Sequence, residues 1–404
     1  MSEPEFIPFH RPSIGKEELD EVAAVLQSGW LTTGPKTRQF EQEFAAYCGA
    51  PHALAVNSCT AGLHLALAAL GVGPGDEVIT TPMTFCSTVH VITHTGATPV
   101  LADIGEDGNL DPASVEQRIT PRTRVLLPVH LAGLPCRMEE LWALAARHGL
   151  HVVEDAAHAA GARYGECRVG GDPRSAAVAF SFYATKNLTT AEGGMVTTFD
   201  PGLAERMRVL CLHGISRDAW NRYTDKGNWY YEVLEPGFKY NLSDLQSAVG
   251  VAQLRKLEGF LARRRELVAY YHERFRRLEE LDLPPGDLEG GHAWHLYILR
   301  LRLERLKIGR GEFIEELRRR GVGASVHFIP VPLHPAFREL AARKEENACP
   351  RAAALYERIV SLPLYPGMTP GMAQRVADVV EEIVRLNQVA SNTPNSAPAG
   401  EKSG

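Results

Sequence analysis

The stretch "FSFYATKNLTTAEGGMV" (180–196) decides the fold. Its opening residues end one run, "AAVAFSFY" (176–183), that is apolar almost throughout, and its closing residues begin another, "GMVTTF" (194–199). Runs of this kind read as strands covered by helices on both faces. Five more precede them: "HALAV" (52–56), "DEVITT" (76–81), "TPVLAD" (98–103), "TRVLLPVH" (123–130) and "LHVVED" (150–155), with helical segments between. Alternation of short strands and helices predicts a large α/β domain with a mostly parallel sheet.

Before the strands, "KEELDEVAAVLQS" (16–28) sets Leu19, Val22, Val25 and Leu26 on one face of an amphipathic helix that stops at Gly29. After them, residues 242–281 form a long helical stretch, interrupted at Gly259, that joins two domains. The remainder mixes "AWHLYILRLRL" (strand), "GEFIEELRRRGVG" (helix) and "ASVHFIPV" (strand), a smaller C-terminal α+β domain. The expected division is therefore 1–255, 256–390, and a disordered tail from 391 to 404 that lacks apolar content.

Composition narrows the function. A net charge of −6 over 404 residues, without blocks of one sign, gives no footprint for nucleic acid or an anionic membrane. No run of about 18 apolar residues and no basic-then-apolar start occurs, which places the chain in the cytoplasm. The seven cysteines have no C-x-x-C pairing, so neither a disulfide framework nor a metal site is expected.

Chemistry begins at Lys186. It follows a strand's carboxyl end, where open α/β sheets bind ligands, and Gly193-Gly194 permits close backbone approach beside it. A desolvated lysine there has a lowered proton affinity and can attack a carbonyl. Asp155 ends a neighbouring strand. A lysine and a carboxylate converging on one crevice are the equipment by which proteins hold pyridoxal phosphate, the carboxylate keeping the ring nitrogen protonated. The turn "NSCTAG" opens an apolar helix whose free N–H groups favour an anion. Thr60 and Ala61 there, with the Ser181 hydroxyl, are candidates for the phosphate, and Phe85 for the ring face.

In order along the chain, "SGWLTTGP" (28–35), "NSCTAGLHLAL" (57–67), "GPGDEVITTPMTF" (73–85), "GATPVLADI" (96–104), "PVHLAG" (128–133), "EDAAHA" (154–159), "SFYATKNLTTAEGGMV" (181–196) and "GFKYNLSDLQSA" (237–248) resemble the DegT/DnrJ/EryC1/StrS sugar aminotransferases, pyridoxal-phosphate enzymes of fold type I. The resemblance implies Lys186 as the cofactor-bearing lysine and proton shuttle, and Asp155 on the pyridine nitrogen. It implies His158 near the cofactor's ring hydroxyl, and Thr33, Tyr183 and His327 at the substrate. Asn241 matches an asparagine that reaches the phosphate of a neighbouring subunit, which implies a homodimer with shared sites. The expected substrates are L-glutamate/2-oxoglutarate and a nucleotide-linked 4-keto sugar, for cell-surface polysaccharide or lipopolysaccharide. "HAWHLYIL" (292–299), "SVHF" (325–328) and "SLPLYPGMT" (361–369) look most like the branch that makes UDP-4-amino-4-deoxy-L-arabinose.

Two alternatives compete. A dehydratase of the same family uses pyridoxamine phosphate and replaces the lysine with histidine, which Lys186 opposes; a sugar-nucleotide-binding regulator has no use for such a lysine. Other motifs carry nothing. "GVGPGD" (71–76) has Asp76 where a dinucleotide fingerprint needs its third glycine, and the sequons at 187–189 and 241–243 fall inside the expected active site.

Overall fold

A computed structural model describes residues 5–216, 230–286, 291–337 and 349–389; the expected tail, and most of the 214–236 loop whose aromatics the sequence sets near the sugar, lie outside them. All seven expected strands form, as β1 (His52–Val56), β2 (Glu77–Thr80), β3 (Thr98–Leu101), β4 (Thr123–Leu127), β5 (His151–Asp155), and, after the short hairpin β6 (Arg163–Tyr164) and β7 (Cys167–Arg168), β8 (Ala177–Ser181) and β9 (Gly194–Thr198). They make one sheet in the order β1-β9-β8-β5-β4-β2-β3. Only β9 runs against its neighbours. The carboxyl ends of the other six therefore share one edge.

Strand alternation sorts the side chains. On β8, Ala177 and Ala179 pack toward helix α3 (Cys59–Ala69), while Val178 and Phe180, with Phe182 beyond, enter the core on the opposite face. There Phe180 and Phe182 meet Phe44 of α2 (Pro35–Cys48) at ring separations of 5.0 and 5.4 Å. Burying each such ring stabilises the fold by about 2–3 kcal/mol. The same alternation gives Ser181 and Asp155 the α3 side of the sheet edge.

Helix α1 (Lys16–Ser28) has the expected bounds and ends at Gly29, whose φ of 73° suits a residue without Cβ. Its docking differs from expectation. The buried positions are Glu18 and Val25, whereas Leu19 and Leu26 are exposed. The Glu18 carboxylate decides this: it accepts from Gln253 Nε2 at 2.7 Å and pairs with Lys256, both on the long helix, turning the leucines outward.

Along the chain, α4 (Ser87–His94), α5 (Pro112–Glu116), α6 (Met138–His148) and α7 (Pro201–Cys211) precede that long helix, α8 (Asp244–Phe275). It is capped by Ser243 in a capping box with Gln246. It runs unbroken through Gly259, contrary to the interruption expected there; a lone glycine costs about 1 kcal/mol in a helix, less than the packing on either side supplies. Val251, Leu254, Leu257 and Leu261 sit in the core of the large sheet, and Leu267, Val268, Tyr271 and Phe275 in a second core. That second core covers a three-stranded antiparallel sheet of β10 (Leu281–Asp282), β11 (Tyr297–Leu301) and β12 (Ile359–Leu362), packed by helices Arg310–Arg319 and Pro370–Asn387. The strand expected over "ASVHFIPV" is reduced to a single bridge, Ser325 to Ser361. Pro330 and Pro332 lack the N–H groups a ladder needs, and the chain turns into a short 3-10 helix at Val331–Leu333.

Candidate active site

At the carboxyl edge of the sheet lies a cavity of about 520 Å³. Lys186 reaches it from the turn after β8, Asp155 from the end of β5, Ser58 and Thr60 from the start of α3, and Ser181 from the end of β8. Phe85, Tyr183, His158 and His327 line it too. The turn after β1 comes this close because Gly194 has no side chain: a Cβ there would stand 2.7 Å from the Cys59 nitrogen and from the Phe180 oxygen.

Burial brings the Lys186 ammonium from 10.5 down to about 8, against the opposing pull of Asp155 and Cys59. Burial pushes the Asp155 carboxyl above its ordinary value; the Thr88 hydroxyl donating at 2.8 Å, the Ala157 N–H at 3.1 Å and the Lys186 charge act to keep it ionised. Thr88 in turn bonds Thr84 at 2.7 Å. His158 accepts the Ala132 N–H on Nδ1 at 3.3 Å and lies parallel to Phe328. His327 bonds Ser361 and stacks on Phe9, with burial and then Lys186 lowering its pKa to about 4.

Three expected residues stand elsewhere. Ala61 is buried just behind the wall, its N–H taken by the Ser58 hydroxyl at 3.0 Å, so Ser58 and Thr60 face the cavity in its place. Thr33 and Asn241 bond each other at 2.7 Å and border a separate groove that runs along β1. Sequence reasoning missed Phe9 and His10 of the N-terminal arm, together with Thr88, His295 and Phe328. None of these carried a signal of its own in the sequence, because only folding brings them to the sheet edge.

The donor set fits pyridoxal phosphate. A lowered-pKa amine and a buried, hydrogen-bonded carboxylate share one cavity with a helix N-terminus, and the Phe85 ring is 60% exposed beside them. When bound, that cofactor supplies an electron sink for amino-group chemistry. Among the described residues no cluster of metal-ligating side chains occurs and no helix is long and apolar enough to cross a membrane.

Comparison with known proteins agrees with this chemistry. Residues 12–381 match the DegT/DnrJ/EryC1/StrS aminotransferase family. The spore coat polysaccharide biosynthesis protein SpsC of Bacillus subtilis (strain 168) is 50% identical over 384 residues, 94% of this chain and 97% of that one. DesV of S. venezuelae is 41% identical with a TM-score of 0.83, over 91% of this chain and 94% of DesV. Spr1654 from Streptococcus pneumoniae, solved in PLP and PMP forms, is 33% identical with TM-scores of 0.86 and 0.87, over 94% of this chain and 99% of its own. The chain belongs to the DegT/DnrJ/EryC1/StrS aminotransferase family and is a pyridoxal-phosphate-dependent sugar aminotransferase.

Proposed function

We propose that the chain moves an amino group from L-glutamate to a nucleotide-linked 4-keto sugar, in the cytoplasm, for polysaccharide biosynthesis. The observation that carries the reading is the pairing of Lys186 and Asp155 in one cavity beside the α3 N-terminus. The name of SpsC, a relative at 50% identity, supports the polysaccharide role. In this reading the Lys186 amine takes a proton from the donor and later returns one to the sugar-derived carbon. The Asp155 carboxylate holds the proton on the pyridine nitrogen. Ser58, Thr60 and Ser181, which face the cavity, bind the phosphate, Phe85 covers the ring, and His158 meets its hydroxyl. Tyr183 and His327 bind the sugar nucleotide, and Thr33 and Asn241, which lie together outside this cavity, act in the site of a second copy, making the unit a homodimer. Residues 1–255 then hold the cofactor and 256–390 complete the sugar side.

The test is optical. L-Glutamate added to the purified holoenzyme should replace a band near roughly 410–430 nm by one near roughly 330 nm, and a UDP-4-keto sugar should reverse the change. Lys186→Ala should do neither in repeated turnover. A holoenzyme blind to glutamate rejects the donor; sustained turnover by Lys186→Ala rejects the mechanism.

A further inference from the structure

The Asp155 carboxylate is held on both of its oxygens. Oδ2 accepts the Thr88 hydroxyl at 2.8 Å, while Oδ1 accepts the Ala157 N–H at 3.1 Å and has the Cys59 thiol 3.9 Å away. Donors on both sides stop rotation about the last side-chain bond. The backbone is equally constrained: the Asp155 N–H donates to the Pro128 carbonyl at 2.9 Å, and the Asp155 carbonyl accepts the His130 N–H at 3.1 Å. Thr88 lies on α4, one turn beyond Thr84, and is fully buried. An ionised carboxylate only accepts, so the Thr88 O–H points at Asp155 and the Thr88 oxygen is left to accept from Thr84. That gives the 2.7 Å bond between the two threonines its direction.

Thr84 stands on the cavity wall, and among the described residues its hydroxyl bonds only Thr88. Protonation of Asp155 on Oδ2 reverses both hydroxyls and turns the Thr84 O–H out into the cavity. With Asp155 ionised, the whole chain Thr84 to Thr88 to Asp155 is satisfied inside the protein, and each bond polarises the next. The titratable groups facing Asp155 are Lys186 from the turn after β8, His130 from beyond β4 and Cys59 from the start of α3. Burial pushes the carboxyl up, and Thr88 is foremost among the groups that oppose the rise.

We propose that Thr88 is a positioning residue for Asp155, with Thr84 as its support: the two hydroxyls set the rotation of the carboxylate and favour its proton-free form, so that the site presents an aligned anion to the pyridine nitrogen. The inference rests on the proposed role of Asp155 at that nitrogen. Alignment built into the empty site need not be found again when the cofactor enters. The same short segment carries Phe85 at the cavity rim. One turn of chain therefore governs both the group that covers the ring and the group that meets its nitrogen.

Thr88→Val keeps the branched shape and removes the donor. In the holoenzyme kcat should fall about tenfold or more, the weight of one hydrogen bond to a charged group, with KM for glutamate within about twofold. Thr88→Ser returns the hydroxyl and should recover most of that loss, and Thr84→Val should cost less than Thr88→Val. A second readout needs no cofactor. Asp155→Asn, made in the wild-type and Thr88→Val backgrounds, closes a double-mutant cycle on the melting temperature. Thr88 serves the ionised carboxylate, so at pH 8 Asp155→Asn should raise the melting temperature more in the Thr88→Val background. Near pH 4, below the raised folded pKa, the carboxyl is neutral in both backgrounds and the two gains should be equal. A threonine that only packs gives a cycle indifferent to pH. Equal impairment by Thr88→Val and Thr88→Ser, or a cycle that does not change with pH, would each overturn the proposal; if Thr88→Val does not fold, Thr84→Val carries the same cycle at smaller amplitude. The parent reading fails separately, through an Asp155→Asn enzyme that keeps wild-type kcat.

Discussion

Lys186 is usable near neutral pH because burial brings its ammonium to about 8. The amine is free above that pH and protonated below it. Reloading of the cofactor-free protein with pyridoxal phosphate, which needs the free amine, should therefore quicken about tenfold per pH unit below about 8 and level off above it. A rate still climbing toward pH 10 would contradict the assignment. Asp155 has the opposite balance, since its folded pKa is raised and its ionised form costs stability. Asp155→Asn removes that cost, so the cofactor-free variant should melt higher than wild type at pH 7 while losing activity. The gain exists above the raised folded pKa and vanishes as pH falls to the ordinary carboxylate value, about 3.9, where the wild-type carboxyl is also neutral. Melts of both proteins across that range decide it. Lys186 and Asp155 were legible in the sequence because one follows and the other ends an apolar run. Thr88 and His295 were not, since their importance comes from what they touch across the fold.

At the scale of elements, the strands were legible because burial on both faces leaves a continuous apolar run. Errors fell where one polar interaction outweighed a pattern. Glu18 rather than the leucine stripe orients α1, and the strand expected at 324–331 gives way at Pro330 to a 3-10 turn. Arg264 is a further case: nothing in "ARRRE" distinguishes it from the charged residues beside it, yet it is fully buried and clamps three carbonyls. Arg264→Ala leaves those carbonyls without their donor and should cost about 3 kcal/mol or more, read as a fall in melting temperature of the cofactor-free protein. The next arginine of the same helix, Arg265, is only half-buried, provides the comparison and should change stability far less.

For the whole molecule, the decisive question is where Asn241 works. It lies with Thr33 outside the cavity of its own chain, and a lone protomer gives it no task there. If it serves a second copy, inactive Lys186→Ala subunits, which keep Asn241, should restore impaired Asn241→Ala subunits, which keep Lys186, when mixed and allowed to exchange. One of the two sites in each mixed dimer is then complete, so activity should rise toward about a quarter of the wild-type level in an equal mixture at full exchange. No gain on mixing would place Asn241 within its own protomer. Helix α8 bears on how such a unit can move. Its 32 residues make a rod about 48 Å long at 1.5 Å per residue, rooted in both cores. A rod rooted at both ends is a poor pivot, and it braces the Arg264-held wall against the large sheet. The rim, where Phe85 and Tyr183 are exposed, is the part of the cavity that this rod does not hold.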